Sequence, residues 1–167
     1  MNNLDKKDCI ILNLLQENCR MTLTELSLRV GLSIDAVKKR IKRMIKDNIF
    51  DAKIQIRPRN FGFSNIVEAK IKLHNNTKKE YDEFIGYLKD NPFVAEIIIT
   101  AGYWDLTVVI ISKDALDLGR ISGDIRNRFG KIINDWSESL TTLTHKFERY
   151  DMLKVMGYDK KNKNDTN

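Results

Sequence analysis

The sequence predicts an α+β protein with a helical N-terminal third and a C-terminal part in which strands and helices alternate. Two observations predict this class. Up to about residue 48, apolar residues recur at the three- and four-residue spacing of helices. Beyond that, segments that alternate with a period of two are interleaved with further helical patterns. A chain of 167 residues that is 42% hydrophobic can form one ordinary domain or two small ones with packed cores.

Capping residues predict the first two helices. Asp5 and Asp8 have the spacing of a helix cap, with an apolar residue just before it, so the first helix starts there and ends near Asn18. Thr22 and Glu25 have the spacing of a capping box, which places the start of the second helix at residue 22 or 23.

The third helix follows a turn that contains glycine. Gly31 ends the second helix, and Ser33 is a favourable cap for a helix that ends near Asn48. One face of this third helix is apolar, and the other faces carry mostly lysine and arginine. A short helix, a glycine turn and a basic amphipathic helix are typical of a helix-turn-helix that enters the major groove of DNA. The alternative is an ordinary helix with a solvated charged face.

A change of period marks the end of this first domain, residues 1–50. Residues 51–57 alternate with a period of two, which predicts a single strand, and Pro58 interrupts it. We therefore expect a hinge strand and linker over residues 51–62.

Residues 63–150 are predicted to form a second domain of βαββαβ order. The strands are expected at about 67–73, 93–100, 104–112 and 136–147, with helices that begin near Thr77 and Asp114. This order is that of ferredoxin-like folds. The tail, residues 151–167, is rich in Lys, Asn and Asp after Gly157 and is expected to be disordered at its end.

Charge is concentrated in the first domain. The net charge is +6, and residues 1–60 alone hold 13 Lys/Arg against 7 Asp/Glu, whereas residues 61–150 hold 12 against 13. Such a concentration favours a module that binds a polyanion over a charge that serves solubility.

Several classes of function are not indicated. No apolar stretch approaches the length that crosses a bilayer, and the N-terminus does not have the pattern of a secretory signal. Cys9 and Cys19 are too few for a disulfide framework and lack the spacing of metal ligands, so we expect a cytoplasmic protein with reduced cysteines and no bound metal or cofactor. His74 and His145 lie far apart in sequence, and no catalytic constellation is suggested.

The basic helix supplies the candidate DNA-binding residues. Side chains near the N-terminus of a recognition helix usually reach base edges, so Asp35, Ala36 and Lys39 are the candidates for base contacts. Asp35 has an equally good alternative, since an acidic residue in the first turn complements the helix dipole. The remaining candidates are Ser33 at the cap and a set expected to contact phosphates, namely Lys38, Arg40, Lys42, Arg43 and Lys46.

The sequence resembles the Lrp/AsnC (feast/famine) family of transcriptional regulators over about residues 4–150. The order and spacing of several motifs carry this resemblance: Leu4-Asp5-x-x-Asp8-x-x-Ile11-Leu12, Gly31-Leu32-Ser33-x-x-x-Val37-x-x-Arg40-Ile41-x-x-Met44, Asn48-Ile49, Phe61-Gly62, Pro92-Phe93-Val94 and Gly102-x-x-Asp105. The resemblance implies a helix-turn-helix, a hinge strand and a βαββαβ domain that forms a homodimer and commonly assembles further, to a tetramer or octamer. It also implies regulation of transcription on double-stranded DNA, and in many members an amino-acid effector. Three departures are Asn48 for a usual glycine, Gly130-Lys131-Ile132-Ile133 for a usual Pro-Gly-Val, and the bulky Trp104.

The turn at residues 102–105 has two interpretations. The residues alone favour a structural turn, with Gly102 adopting a positive φ and Asp105 accepting backbone hydrogen bonds. The resemblance implies that Gly102, Tyr103, Trp104 and Asp105 form an effector site between subunits, with Asp105 paired to an α-ammonium group.

A second function of a different class is an enzyme. Some proteins of this two-domain shape resemble sirohaem decarboxylases, which carry a histidine-rich stretch at the corresponding turn. Residues 101–106 of this chain contain no histidine, and its first domain is basic. We therefore expect a regulator that is not an enzyme. A third interpretation is an amino-acid sensor or assembly protein that does not bind DNA.

Overall fold

The computed structural model describes residues 3–159, which belong to two compact units. The first unit combines the chain up to Ile54 with the chain from Lys146 onward, and the second is Gln55–His145. The helices are α1 (Lys6–Glu17), α2 (Leu23–Val30), α3 (Ile34–Lys46), α4 (Lys78–Asp90), α5 (Ala115–Phe129) and α6 (Met152–Val155), and the strands are β1 (Asn65–Leu73), β2 (Val94–Ile99), β3 (Leu106–Ser112) and β4 (Ile133–Leu140).

The predicted helix starts in the first unit are confirmed. Asp5 caps α1 in a reciprocal capping box with Asp8, and Thr22 caps α2 in a second box with Glu25. Each box satisfies backbone N–H groups that a helix terminus leaves without partners. The helices bury one shared core of mainly aliphatic side chains: Leu4, Cys9, Ile11, Leu12, Leu26, Val30, Val37 and Met44.

The second unit is a four-stranded antiparallel sheet with strand order β2-β3-β1-β4, as the βαββαβ order predicts. Side chains that alternate along β1 and β3 are buried, and Phe84 and Leu88 of α4 and Ile121 and Ile125 of α5 pack against them. Thr77 and Asp114 cap these two helices, as predicted. Since both helices cover the same side, the sheet keeps one face without them.

The uncovered face of the sheet mixes apolar and charged side chains. In β1, Glu68 and Lys70 alternate with the buried Val67, Ala69 and Ile71 and therefore lie on the other face. The strand register places Val109 of β3 beside Glu68 on one side and beside Glu96 of β2 on the other.

The predicted hinge strand over residues 51–57 is wrong. This segment is irregular and is followed by a 3-10 turn, Pro58–Phe61. A strand needs a hydrogen-bonded neighbour, and the described part of the chain supplies none here, so Ile54 and Ile56 are 83% and 64% exposed.

The bounds of the other strands and of the tail also differ from expectation. The last strand spans Ile133–Leu140 and ends seven residues short of Phe147, because the chain leaves β1 after Thr141. The segment from Lys146 is not a separate tail, since α6 packs against α1 and Met152, Leu153 and Tyr158 join the core of the first unit. The disorder expected after Gly157 is wrong for Tyr158, which packs against the core of the first unit, and residues 160–167 lie outside the described residues.

Candidate DNA-binding surface and effector turn

The third helix begins as the sequence predicts. Gly31 ends α2 in the left-handed conformation with φ 68°, and the Ser33 hydroxyl accepts a hydrogen bond from the Ala36 N–H at 3.2 Å. Ser33 therefore serves the helix cap. Val37 and Met44 are fully buried, which fixes the inward side of α3.

Two of the arginines predicted to contact phosphates are instead paired within the protein. Arg40 Nη1 lies 2.8 Å from Asp8 Oδ1 and 2.6 Å from Asp5 Oδ2, and Arg43 Nη2 donates to Asp8 Oδ2. Both arginines thus contact α1 through Asp8. At about 100° per residue, Arg40 lies about 40° and Arg43 about 100° from the buried Met44, on the same side of the helix.

The hydrogen bonds among Asp5, Asp8 and Arg40 shift the pKa values of Asp5 and Arg40. Hydrogen bonds to Asp8 and Asp5 raise the pKa of Arg40 above its ordinary value. Burial raises the pKa of Asp5, but hydrogen bonds from the Asp8 N–H and from Arg40 outweigh it, so the net pKa is lowered. Asp5 and Arg40 are therefore charged at neutral pH, and each favours the charged form of the other.

The exposed outer face of α3 carries mainly lysines. Lys38, Lys39, Lys42 and Lys46 are all exposed, and none forms an ion pair within the described residues. Asp35 is exposed in the first turn, where it also complements the helix dipole. We call this surface the lysine face; its four lysines are cations that no ion pair neutralises within the described residues.

Asp105, in the turn between β2 and β3, is hydrogen-bonded to residues at the end of β1. Asp105 Oδ2 accepts a hydrogen bond from the Leu73 N–H at 2.8 Å, and Asp105 Oδ1 lies 3.0 Å from Lys72 Nζ. The Leu73 N–H and then Lys72 lower the pKa of Asp105. These contacts favour the structural interpretation of Asp105 over a direct bond to an effector ammonium group.

The aromatic residues of this turn differ in exposure. Tyr103 is 65% exposed, with its hydroxyl 3.4 Å from Asp135 Oδ2. Trp104 is half-buried, and its carbonyl accepts a hydrogen bond from Thr100 Oγ1 at 2.6 Å. Two grooves of about 560 and 290 Å³ lie along α4 and α5, and neither includes residues 102–105.

Sequence reasoning missed three contributors to these sites. Asp8 was assigned to capping alone, and neither Lys7 nor Lys72 was singled out. Lys7 Nζ donates to the Val30 carbonyl at the end of α2, and Lys72 pairs with Asp105. The only clue was that Asp8 and Arg40 both belong to the motifs of the resemblance, which does not say that they touch.

Other chemistry is not indicated by the described residues. Over residues 3–159 no helix is long and apolar enough to cross a membrane. The same residues contain no group of three His, Cys, Asp or Glu side chains placed to hold a metal ion.

The first unit matches a known DNA-binding family. A family model described as winged helix-turn-helix DNA-binding matches residues 4–50. The transcriptional regulator LrpA of Pyrococcus horikoshii is 31% identical over 130 residues, covering 77% of this chain and 88% of the relative. A proline dehydrogenase transcriptional activator of Rhizobium radiobacter is 30% identical over 123 residues, covering 73% of this chain and 79% of the relative.

Solved structures share the fold. A transcriptional regulator from Neisseria meningitidis, solved as a complex with L-Met, superposes with a TM-score of 0.77 at 23% identity, covering 87% of this chain and 94% of that one. E. coli AsnC superposes with a TM-score of 0.74 at 20% identity, covering 89% and 99%. The matched family model and the two relatives named above show that the chain is a helix-turn-helix transcriptional regulator. Within that class, the chain belongs to the Lrp/AsnC family.

Proposed function

We propose that this regulator binds double-stranded DNA as a dimer through the lysine face of α3, and that a small effector at residues 102–105 modulates the binding. The observation that carries the proposal is the division of cations on α3. Two arginines are neutralised by aspartates, whereas four neighbouring lysines are exposed without ion pairs within the described residues.

Roles on the lysine face follow from position along the helix. Lys39 is one to two turns nearer the N-terminus of α3 than Lys46, and the N-terminal part of a recognition helix usually reaches base edges. We assign Lys39, with Ala36 and Asp35, to base contacts, and Lys38, Lys42 and Lys46 to phosphates.

A second copy of this chain is the partner proposed for the uncovered face of the sheet. An interface with two-fold symmetry joins the same patch of both copies, so the patch must complement itself. This face carries Glu68 and Glu96 together with Lys70, which allows opposite charges to meet across the two-fold axis, and Val109 at its centre supplies apolar area.

The effector proposal rests on the exposed turn and on the family. The Neisseria structure named above holds L-Met. In this chain Tyr103 and the backbone at Gly102 are exposed, whereas Asp105 is engaged with Leu73 and Lys72. We therefore assign contact with an amino-acid effector to Gly102, Tyr103 and Trp104, and the shape of the turn to Asp105. The decarboxylase alternative has no support in these residues, since the turn lacks histidine.

Selection from random DNA, with and without each of the common amino acids, tests this function. We expect one enriched sequence and at least one amino acid that changes its recovery. Lys46→Gln should then lower the slope of log affinity against log salt by about 0.9 per lost phosphate contact and keep the preferred sequence. Lys39→Gln should cost about 1–3 kcal/mol on the preferred site and relax one position. Equal weakening of selected and scrambled sites by Lys39→Gln would contradict its role at a base.

A further inference from the structure

Asp8 is a fully buried carboxylate, and both of its oxygens accept hydrogen bonds. Its Oδ2 accepts from the Asp5 N–H at 3.1 Å and from Arg43 Nη2, and its Oδ1 accepts from Arg40 Nη1 at 2.8 Å. The carboxylate is 0% exposed, whereas the Arg40 and Arg43 side chains are 26% and 46% exposed. A buried charge is retained only when it is paired and hydrogen-bonded, and this one is.

Helix capping does not require this arrangement. The capping box uses one Asp8 oxygen and the Asp5 N–H, which a neutral side chain with a carbonyl oxygen would also satisfy. The two arginines come from a helix 32 and 35 residues further along the chain. The charge of Asp8 therefore serves the contact between α1 and α3.

Neighbouring residues of α1 hold both helices of the helix-turn-helix. Lys7 donates to the Val30 carbonyl at the end of α2, and Asp8 holds α3 through its two arginines. The guanidinium groups of Arg40 and Arg43 lie off the axis of α3, so rotation of α3 about this axis would move both of them away from Asp8. At about 100° per residue, Arg43 differs in direction from Lys39 by about 40°, so a rotation of that size would bring an arginine toward the lysine face.

We propose that Asp8 is a positioning residue for DNA recognition, which fixes the rotation of α3 and withholds Arg40 and Arg43 from the phosphate backbone. This inference rests on the proposed use of the lysine face. If Asp8 acts in this way, Arg40 and Arg43 make no contribution to the salt dependence of DNA binding. Arginines on a basic recognition helix would ordinarily contribute to it by contacting phosphates.

The test measures affinity across a salt series for one selected and one scrambled DNA site, with the full-length protein. Arg43→Gln should leave the slope on scrambled DNA unchanged and reduce the ratio of selected to scrambled affinity. Lys42→Gln should lower the slope by about 0.9 per contact and leave that ratio unchanged. Arg120→Gln, in the second unit, removes the same charge as Arg43→Gln and should change neither quantity.

Asp8→Asn is the complementary variant, because it keeps a carbonyl oxygen for the cap, removes the anionic partner of Arg43 and leaves Arg40 with Asp5 alone. We expect a steeper slope on scrambled DNA, by about 0.9 for each arginine that gains a phosphate, and a smaller ratio of selected to scrambled affinity. Asp117→Asn in the second unit adds the same unit of net charge and should change neither. A role of Asp8 in stability alone would leave the slope of the folded protein unchanged.

The outcomes separate this inference from the proposed function. A slope lowered by Arg43→Gln as much as by Lys42→Gln would overturn the inference, because Arg43 would then contact phosphate. The Arg43→Gln result decides this even where Asp8→Asn does not fold by circular dichroism. A slope that responds to none of Lys38→Gln, Lys42→Gln and Lys46→Gln would instead overturn the proposed lysine face.

Discussion

The docking of α6 on α1 allows a prediction whose size follows from the contacts. The Asn13 amide makes two hydrogen bonds to the C-terminal segment, from Nδ2 to Asp151 Oδ1 at 3.1 Å and from the Met152 N–H to Oδ1 at 2.8 Å. Asn13→Ala removes both. At about 0.5–1.5 kcal/mol net for each bond, docking should weaken by about 1–2 kcal/mol, since one of the two is exposed to water.

Hydrogen exchange of the full-length protein measures this change directly. A loss of about 1–2 kcal/mol corresponds to exchange about 5- to 30-fold faster, because 1.4 kcal/mol is a factor of ten. The acceleration should be confined to the amides that α6 and its end protect, those of Val155, Met156, Gly157 and Tyr158. The amides of α2 and α3 should keep their rates.

The control is Asn127→Ala, at an exposed position of α5 for which no side-chain hydrogen bond is found within the described residues. It should leave exchange at Val155 and Tyr158 unchanged. If Asn13→Ala accelerates exchange equally across the whole first unit, α6 is part of one cooperative core and not a segment that opens separately. If it has no effect on these amides, the two hydrogen bonds do not hold the segment.

Three further predictions concern the second unit. Phe84→Ala, at a fully buried position, should cost about 3–5 kcal/mol in unfolding free energy by calorimetry, and a loss below 1 kcal/mol would contradict its place in the core. Val109→Glu, which puts a third carboxylate beside Glu68 and Glu96, should shift the proposed dimer toward monomer in sedimentation, whereas Leu116→Glu on the 86% exposed side chain of α5 should not. Asp105 has a lowered pKa in the folded state, so its contribution to stability is present above its ordinary value of 3.8 and is lost as pH falls through the lowered value. Denaturant unfolding should therefore depend less on pH below about 4 in Asp105→Asn than in the wild type, and equal pH profiles would show that the carboxylate adds nothing.

The helices and their starts could be predicted because their causes are local. The Thr22–Glu25 and Thr77–Glu80 boxes, the Ser33 cap and the Gly31 turn each involve residues within a few positions of one another. The apolar periods of α3, β1 and β3 state which side of each element is buried, and the order of elements then restricts the sheet to few topologies.

The hinge strand could not be predicted correctly, because alternation states only that a segment could pair. Whether residues 51–57 form a strand depends on a neighbour, and the described chain offers none. The prediction for the C-terminal segment was incomplete for a related reason. The helix α6 has only four residues, and its position depends on contacts with Asn13, Gln16 and Leu4, which are more than 130 residues away in sequence.

By itself the sequence determined the class of protein. The basic amphipathic helix after a glycine turn and the βαββαβ order can both be predicted from the spacing of residues that are close in sequence. Only the tertiary structure decided which cations on that helix are paired with aspartates. Lysine and arginine are alike in a periodicity argument, whereas Asp8 binds Arg40 and Arg43 and not the lysines. The pairing of Asp8 with these arginines depends on the packing of α1 against α3. Because the paired residues are 32 and 35 positions apart, local periodicity cannot predict the ion pairs.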